Sequence, residues 1–124
     1  MSTYHRPLKG VAKKTEYNGR VYPSKTQARR AMELDLLQRA GEVAWWIPEV
    51  TIDLGPDHRY RVDFLVAEWR PPHTTDPAVT AHAEDVKCIR TREQARHERL
   101  WRKYGPMPLH VLMRGKVEVI EREG

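Results

Sequence analysis

Two periodicities alternate along the chain. Between Ser24 and Gly41, Ala28, Ala31, Met32, Leu36 and Ala40 recur at helical spacing, which predicts a helix with those residues on its apolar face. Ser24 and Gln27 form a Ser-x-x-Gln capping box at its start, and Gly41 is a natural stop. Glu33 falls at the border of that face. A second helix is predicted over "TREQARHERLWRKYG", capped by Thr91, stopped at Gly105-Pro106, with Leu100 and Trp101 turned to the core. The rest of the pattern has period two. "TEYNGRVYPS" reads as a small hairpin around Asn18-Gly19, the favoured pair for a tight type I′ turn. "VAWWIPEVTIDL" is apolar around Pro48, which argues for an edge or a bend. "RYRVDFLVAEW" alternates, with Tyr60, Val62, Phe64 and Val66 expected on one face and Arg61, Asp63 and Leu65 on the other. "VTAHAEDVKC" is a third strand beyond a proline-rich loop. "LHVLM" and "KVEVIERE" close the chain as two strands joined at Arg114-Gly115.

The order is hairpin, helix, three strands, helix, two strands. One mixed sheet flanked by two helices, an α/β (α+β) fold, is the economical packing. Residues 1–14 are polar and basic and are expected to be a flexible segment, with 15–124 a single domain. The length of 124 residues suits one domain with one modest core.

Charge adds a partner class. The net charge of +5 favours a polyanion, and the most basic stretch coincides with the second helix. Arg92, Arg96, Arg99 and Lys103 recur every three or four residues as a stripe, with Arg90 just before it. Lys9, Lys13 and Lys14, with Arg29 and Arg30, extend the basic surface. Such a stripe grips phosphates without reading sequence; the competing reading is a solvated basic face. The single cysteine, Cys88, excludes an internal disulfide and fits reducing conditions. No apolar run is long enough to span a membrane, and "MSTYHRPLKGVAKK" lacks the apolar core of a secretory signal, so a cytoplasmic location is expected. The six histidines show no zinc-ligand spacing, and no glycine-rich phosphate loop is present.

Candidate chemistry sits in "HAEDVKC". Alternation puts Asp85 and Lys87 on one face and Glu84 with Val86 on the other. Asp63 is a carboxylate inside the apolar run "RVDFLV", costly unless paired or bound to a cation. If the two strands pair, Asp63 and Asp85 lie side by side. Mg²⁺ is commonly held by one or two carboxylates with waters and phosphate oxygens. With Lys87 to orient a nucleophile or stabilise developing charge, the three residues are the minimum parts of a metal-dependent phosphodiesterase. The alternative is a structural ion pair of Asp85 with Lys87 or Arg61.

The ordered set of motifs resembles a known family. Asp85-Val86-Lys87 looks like the Asp-x-Lys motif of the PD-(D/E)XK nuclease superfamily, and Val62-Asp63 like its first carboxylate motif without the usual proline. "YNGRVYPSKTQARRAMELDLLQRAGEV", "RVDFLV", "EDVKCIRT" and "RLWRKYGP" together resemble a family of small phage and prophage nuclease-like proteins, over roughly residues 14–113. Gln27 stands where that family typically has glutamate, and Cys88 where it has glycine. The resemblance implies a restriction-endonuclease-like core (α-β-β-β-α-β) and a Mg²⁺-dependent endonuclease, with Mn²⁺ as substitute. It implies metal ligation by Asp63, Asp85 and an acidic helix residue, Glu33 being the carboxylate available and Gln27 the other residue in question. It further implies DNA as partner, branched junctions among its substrates, a two-fold dimer to match a symmetric junction, and a phage protein acting in the host cytoplasm. A nucleic-acid-binding protein on a catalytically weakened nuclease fold is the alternative, kept open by the neutral Gln27.

Overall fold

The computed structural model describes residues 13–70 and 78–123. Most of the expected basic N-terminal segment, with His5 and Lys9, lies outside the described residues, as does most of the proline-rich loop with His73. The element order is β1 (Thr15–Tyr17), β2 (Arg20–Tyr22), α1 (Lys25–Arg39), β3 (Val43–Asp53), β4 (Arg59–Trp69), β5 (Val79–Val86), α2 (Arg92–Tyr104), β6 (Leu109–Met113) and β7 (Lys116–Ile120). The fold is α+β: a two-stranded β1–β2 sheet, a five-stranded mixed sheet in the order β3-β4-β5-β6-β7, and two helices. Neighbours in the larger sheet are antiparallel except β5 and β6, which run parallel and are connected through α2.

Both expected tight turns use two successive residues with positive φ, Asn18-Gly19 and Arg114-Gly115, as type I′ hairpins require. Pro48 lies in β3, an edge strand, where its missing N–H costs no interior ladder bond.

The start of α1 is built as its capping box predicts: the Gln27 N–H donates to the Ser24 hydroxyl at 3.1 Å. Its buried face differs from the expected one. Ala28, Ala31 and Leu34 are buried, while Met32 and Leu36 are 48% and 57% exposed and Ala40 is also exposed. The helix is turned by Asp35, whose carboxylate accepts from the Tyr17 hydroxyl and, at 3.1 Å, from the Trp46 indole N–H. Anchoring Asp35 to the β1–β2 hairpin and β3 swings Met32 and Leu36 outward, since each residue advances about 100° around the axis.

The sheet separates two cores. One holds Ala28, Ala31 and Leu34 of α1 with Tyr22, Val43, Phe64 and Val66. The other holds Trp101 of α2 with Leu54, Tyr60, Val62, Ala83, Leu109, Val111 and Ile120. The four alternating apolar residues of β4 are all buried, but they divide between the cores: Tyr60 and Val62 join the α2 side, Phe64 and Val66 the α1 side. The alternation therefore breaks at Asp63. Across β3 the neighbouring Glu49 has a φ of 54°, a left-handed backbone for a non-glycine residue. The β4–β5 ladder stops at the same place, its last pair being Phe64 with Glu84.

Candidate active site

Beyond the Phe64–Glu84 pair, side chains replace the ladder. The Asp63 N–H donates to Asp85 Oδ1 at 3.2 Å, and the Val86 N–H donates to Asp63 Oδ2 at 2.8 Å. Each carboxylate thus satisfies a backbone donor left free by the separating strands. The remaining oxygens are also engaged. Asp63 Oδ1 accepts from Gln27 Nε2 at 2.5 Å, and Asp85 Oδ2 accepts from the Tyr60 hydroxyl. Gln94 Oε1 of α2 lies 3.2 Å from that hydroxyl.

This junction is electrostatically unbalanced. Asp85 is fully buried, and among the described residues neither it nor Asp63 forms a salt bridge. Burial, and then the Asp85 charge beside it, push the Asp63 carboxyl up to about 6, against the Val86 N–H, Lys87 and Gln27. Burial also raises Asp85, against Lys87 and Tyr60. Burial and the Asp85 charge hold the Tyr60 phenol protonated far above its ordinary range. Lys87 follows the end of β5, where its N–H donates to the Leu112 carbonyl at 2.9 Å. Its charge favours ionisation of both carboxylates without pairing to either. The structural ion pairs weighed from sequence are absent among the described residues: Arg61 pairs with Glu49 instead.

The two helix candidates separate. Gln27 sits on the sheet-facing side of α1 and reaches Asp63. Glu33 lies about 120° around the helix, half exposed, bonded at 3.0 Å to Arg30. The structure therefore brings together Asp63, Asp85, Lys87 and Gln27, and leaves Glu33 outside that group. His97, set aside from sequence as one of the scattered histidines, stacks on the Tyr60 ring at 4.2 Å and meets His58 Nε2 through Nδ1 at 2.9 Å. Burial lowers its pKa.

The basic residues singled out for nucleic acid differ in how free they are. Arg92, Arg96, Arg99 and Lys103 are exposed along α2, and Lys13 and Lys14 are exposed before β1. Arg90 is committed elsewhere, to Glu98 at 2.7 Å and to Glu118. A cleft of about 400 Å³ opens beside Lys87, between the first turns of α1 and the β6–β7 hairpin. Arg29, Arg30, Lys87, Arg114 and Lys116 line it, against the single acid Glu33. Asp63 and Asp85 are not among its walls; Val86 and Lys87 stand between.

Glu84, the other carboxylate of "HAEDVKC", faces α1. It is 1% exposed and is clasped by Arg30, Nε to Oε1 and a terminal nitrogen to Oε2, both at 2.8 Å. Burial alone would raise its pKa, but the Arg30 and His82 bonds outweigh that and hold it at about 2. His82, His110 and Glu84 form a cluster that could hold a metal ion, with ligand atoms within 4.8 Å of one another. Sequence spacing missed it. Only His82 and Glu84, two apart on one strand, carried a signal. His110 arrives through the parallel β5–β6 register, which sets it opposite Glu84.

No helix among the described residues is long and apolar enough to cross a membrane. No family model, curated protein or solved structure matches the chain.

Proposed function

We propose that the protein is a metal-dependent endonuclease that hydrolyses phosphodiester bonds in DNA, centred on Asp63, Asp85 and Lys87. One observation carries this reading: two neighbouring carboxylates, Asp85 fully buried and Asp63 partly so, with no salt bridge among the described residues, stand near a lysine whose charge reaches both. Two like charges in such a place favour a bound cation. The donor set, carboxylate oxygens with an amide nearby, suits Mg²⁺ or Mn²⁺. Asp63 and Asp85 would hold the ion, which supplies charge stabilisation at the scissile phosphate and acidifies water. Lys87 orients the attacking water or stabilises negative charge developing on the phosphate. Gln27 positions Asp63, and Tyr60 positions Asp85, each by the hydrogen bond it donates. The basic cleft beside Lys87 and the α2 stripe supply backbone contacts that hold DNA without reading its sequence. The resemblance to PD-(D/E)XK nucleases supports the same assignment. It also suggests branched DNA as the substrate and a two-fold dimer as the acting form.

The test is cleavage of labelled linear and branched DNA with Mg²⁺ or Mn²⁺, comparing wild type with Asp85→Ala and Lys87→Ala. The reading expects metal-dependent cutting by wild type and its loss in both variants. Wild type that never cuts would sink it.

A second reading rests on a specific observation. All four oxygens of Asp63 and Asp85 already accept hydrogen bonds, and the helix residue at the site is a neutral amide. A DNA-binding protein on a catalytically weakened nuclease fold fits that. It expects salt-sensitive binding, no cutting, and no Mg²⁺ uptake.

A further inference from the structure

We propose that His82, Glu84 and His110 form a zinc site on the α1 side of the sheet, separate from the Asp63–Asp85 junction. The ligand chemistry is two imidazole nitrogens and one carboxylate oxygen, a set that suits zinc and leaves a fourth position open. His82 Nε2 lies 2.8 Å from Glu84 Oε2, and the His82 and His110 rings stack at 3.8 Å. A tetrahedral ion with bonds near 2 Å holds its ligand atoms roughly 3.3 Å apart. The three ligand atoms lie within 4.8 Å of one another, but the two rings are stacked only 16° from parallel, so one imidazole has to turn out of the stack for both lone pairs to meet the ion.

The surroundings of each ligand are those a metal site needs. Glu68 lies 3.1 Å from His82 Nδ1, the carboxylate–histidine arrangement that fixes the proton on Nδ1 and frees Nε2 to ligate. Arg30 Nε holds Glu84 Oε1, orienting the carboxylate with Oε2 toward His82. Arg30 also contacts Oε2, a bond the ion would weaken. Glu68 and Glu84 bring negative charge to the ligands, with Arg30 on Glu84 and Arg70 at the mouth of the depression opposing it. A depression of about 300 Å³ reaches His82 and His110 past Glu68, Thr80 and Pro108, giving an entry path and room for a water at the open position.

The experiment is a Zn²⁺ titration of the chelator-treated full chain by calorimetry, with Co²⁺ as a visible-absorbing substitute. The expected result is one zinc per chain that depends on His82 and His110, any further zinc at the Asp63–Asp85 junction being told apart by its loss in Asp63→Asn. Affinity should fall at least tenfold in His82→Gln and in His110→Gln, fall by about 10–100-fold in Glu68→Gln, and stay unchanged in Asp63→Asn and His58→Gln. Imidazole NMR signals of wild type supply a readout that needs no variant: zinc should shift His82 and His110 and spare His58 and His97. Wild type that takes up no zinc at micromolar concentration overturns the proposal. So does zinc that shifts other histidines, or binding that survives loss of His110. DNA cutting enters none of these measurements, so this site and the nuclease reading can fail independently.

Discussion

Asp63→Asn should stabilise the metal-free protein at neutral pH. Burial and Asp85 raise the Asp63 carboxyl from its ordinary 3.8 to about 6. That difference corresponds to about 3 kcal/mol of cost for holding the ionised form in the fold. The bonds from Val86 and Gln27 are already counted within it, because they favour the charged form. Asparagine keeps an oxygen for the Val86 N–H and removes the charge; the Gln27 amide can turn to meet the new NH₂. The net gain should be about 1–3 kcal/mol above pH ~6. The sign follows from proton binding. Between 3.8 and about 6 the folded state binds the proton that the unfolded state has released. The stability tied to Asp63 is therefore complete below 3.8 and is lost as pH rises through about 6. The assay is urea unfolding of wild type and variant in chelator, from about pH 4 to about pH 8, read as the difference between the two proteins. The gain should vanish at the acid end. A variant less stable than wild type at about pH 8, or a difference independent of pH, would refute the reasoning. Adding Mg²⁺ should then stabilise wild type more than the variant, since only wild type offers both carboxylates to a cation.

Arg30→Ala should cost about 3–5 kcal/mol in urea unfolding, because it leaves Glu84 buried without its guanidinium partner; stability within 1 kcal/mol of wild type (roughly, on the same scale) would show that the pair contributes little. In DNA binding measured against salt, Arg92→Ala, Arg96→Ala and Arg99→Ala should each lower the slope by about 1. Arg90→Ala should not, because Glu98 and Glu118 already occupy that side chain; equal effects at all four positions would remove the distinction. Gly105→Ala should destabilise by about 1–3 kcal/mol or more, since a Cβ there would stand 2.5 Å from the buried Trp101 ring and 2.6 Å from its carbonyl oxygen; a thermal midpoint equal to wild type would contradict it.

What the sequence disclosed follows the reach of local rules. The capping box at Ser24, the positive-φ pairs at Asn18-Gly19 and Arg114-Gly115, and the separation of Asp85 from Glu84 all depend on residues within a few positions of each other. The rotation of α1 does not. Ala28 and Ala31 fit both an apolar stripe with Met32 and Leu36 and one with Leu34. The choice is made by Tyr17 and Trp46 holding Asp35, contacts between elements that no helical period contains. The same rotation carries Gln27 to Asp63 and Glu33 to solvent, so the charge of Glu33 was a poorer guide than the position of Gln27. The break of β4 at Asp63 was also out of reach, because uniform alternation cannot show where a strand changes faces. The His82–Glu84–His110 cluster needed the β5–β6 register, which pairs Glu84 and His110 across a separation of 26 positions.

The most direct test of the central claim is a crystal structure from Mn²⁺-soaked crystals with an anomalous difference map. A peak is expected between the Asp63 and Asp85 carboxylates, about 2 Å from an oxygen of each. The bond from Gln27 or Tyr60 to a ligating oxygen should lengthen. A map with no peak there, with both carboxylates still holding Gln27, Val86, Asp63 N–H and Tyr60 as they do now, would contradict it.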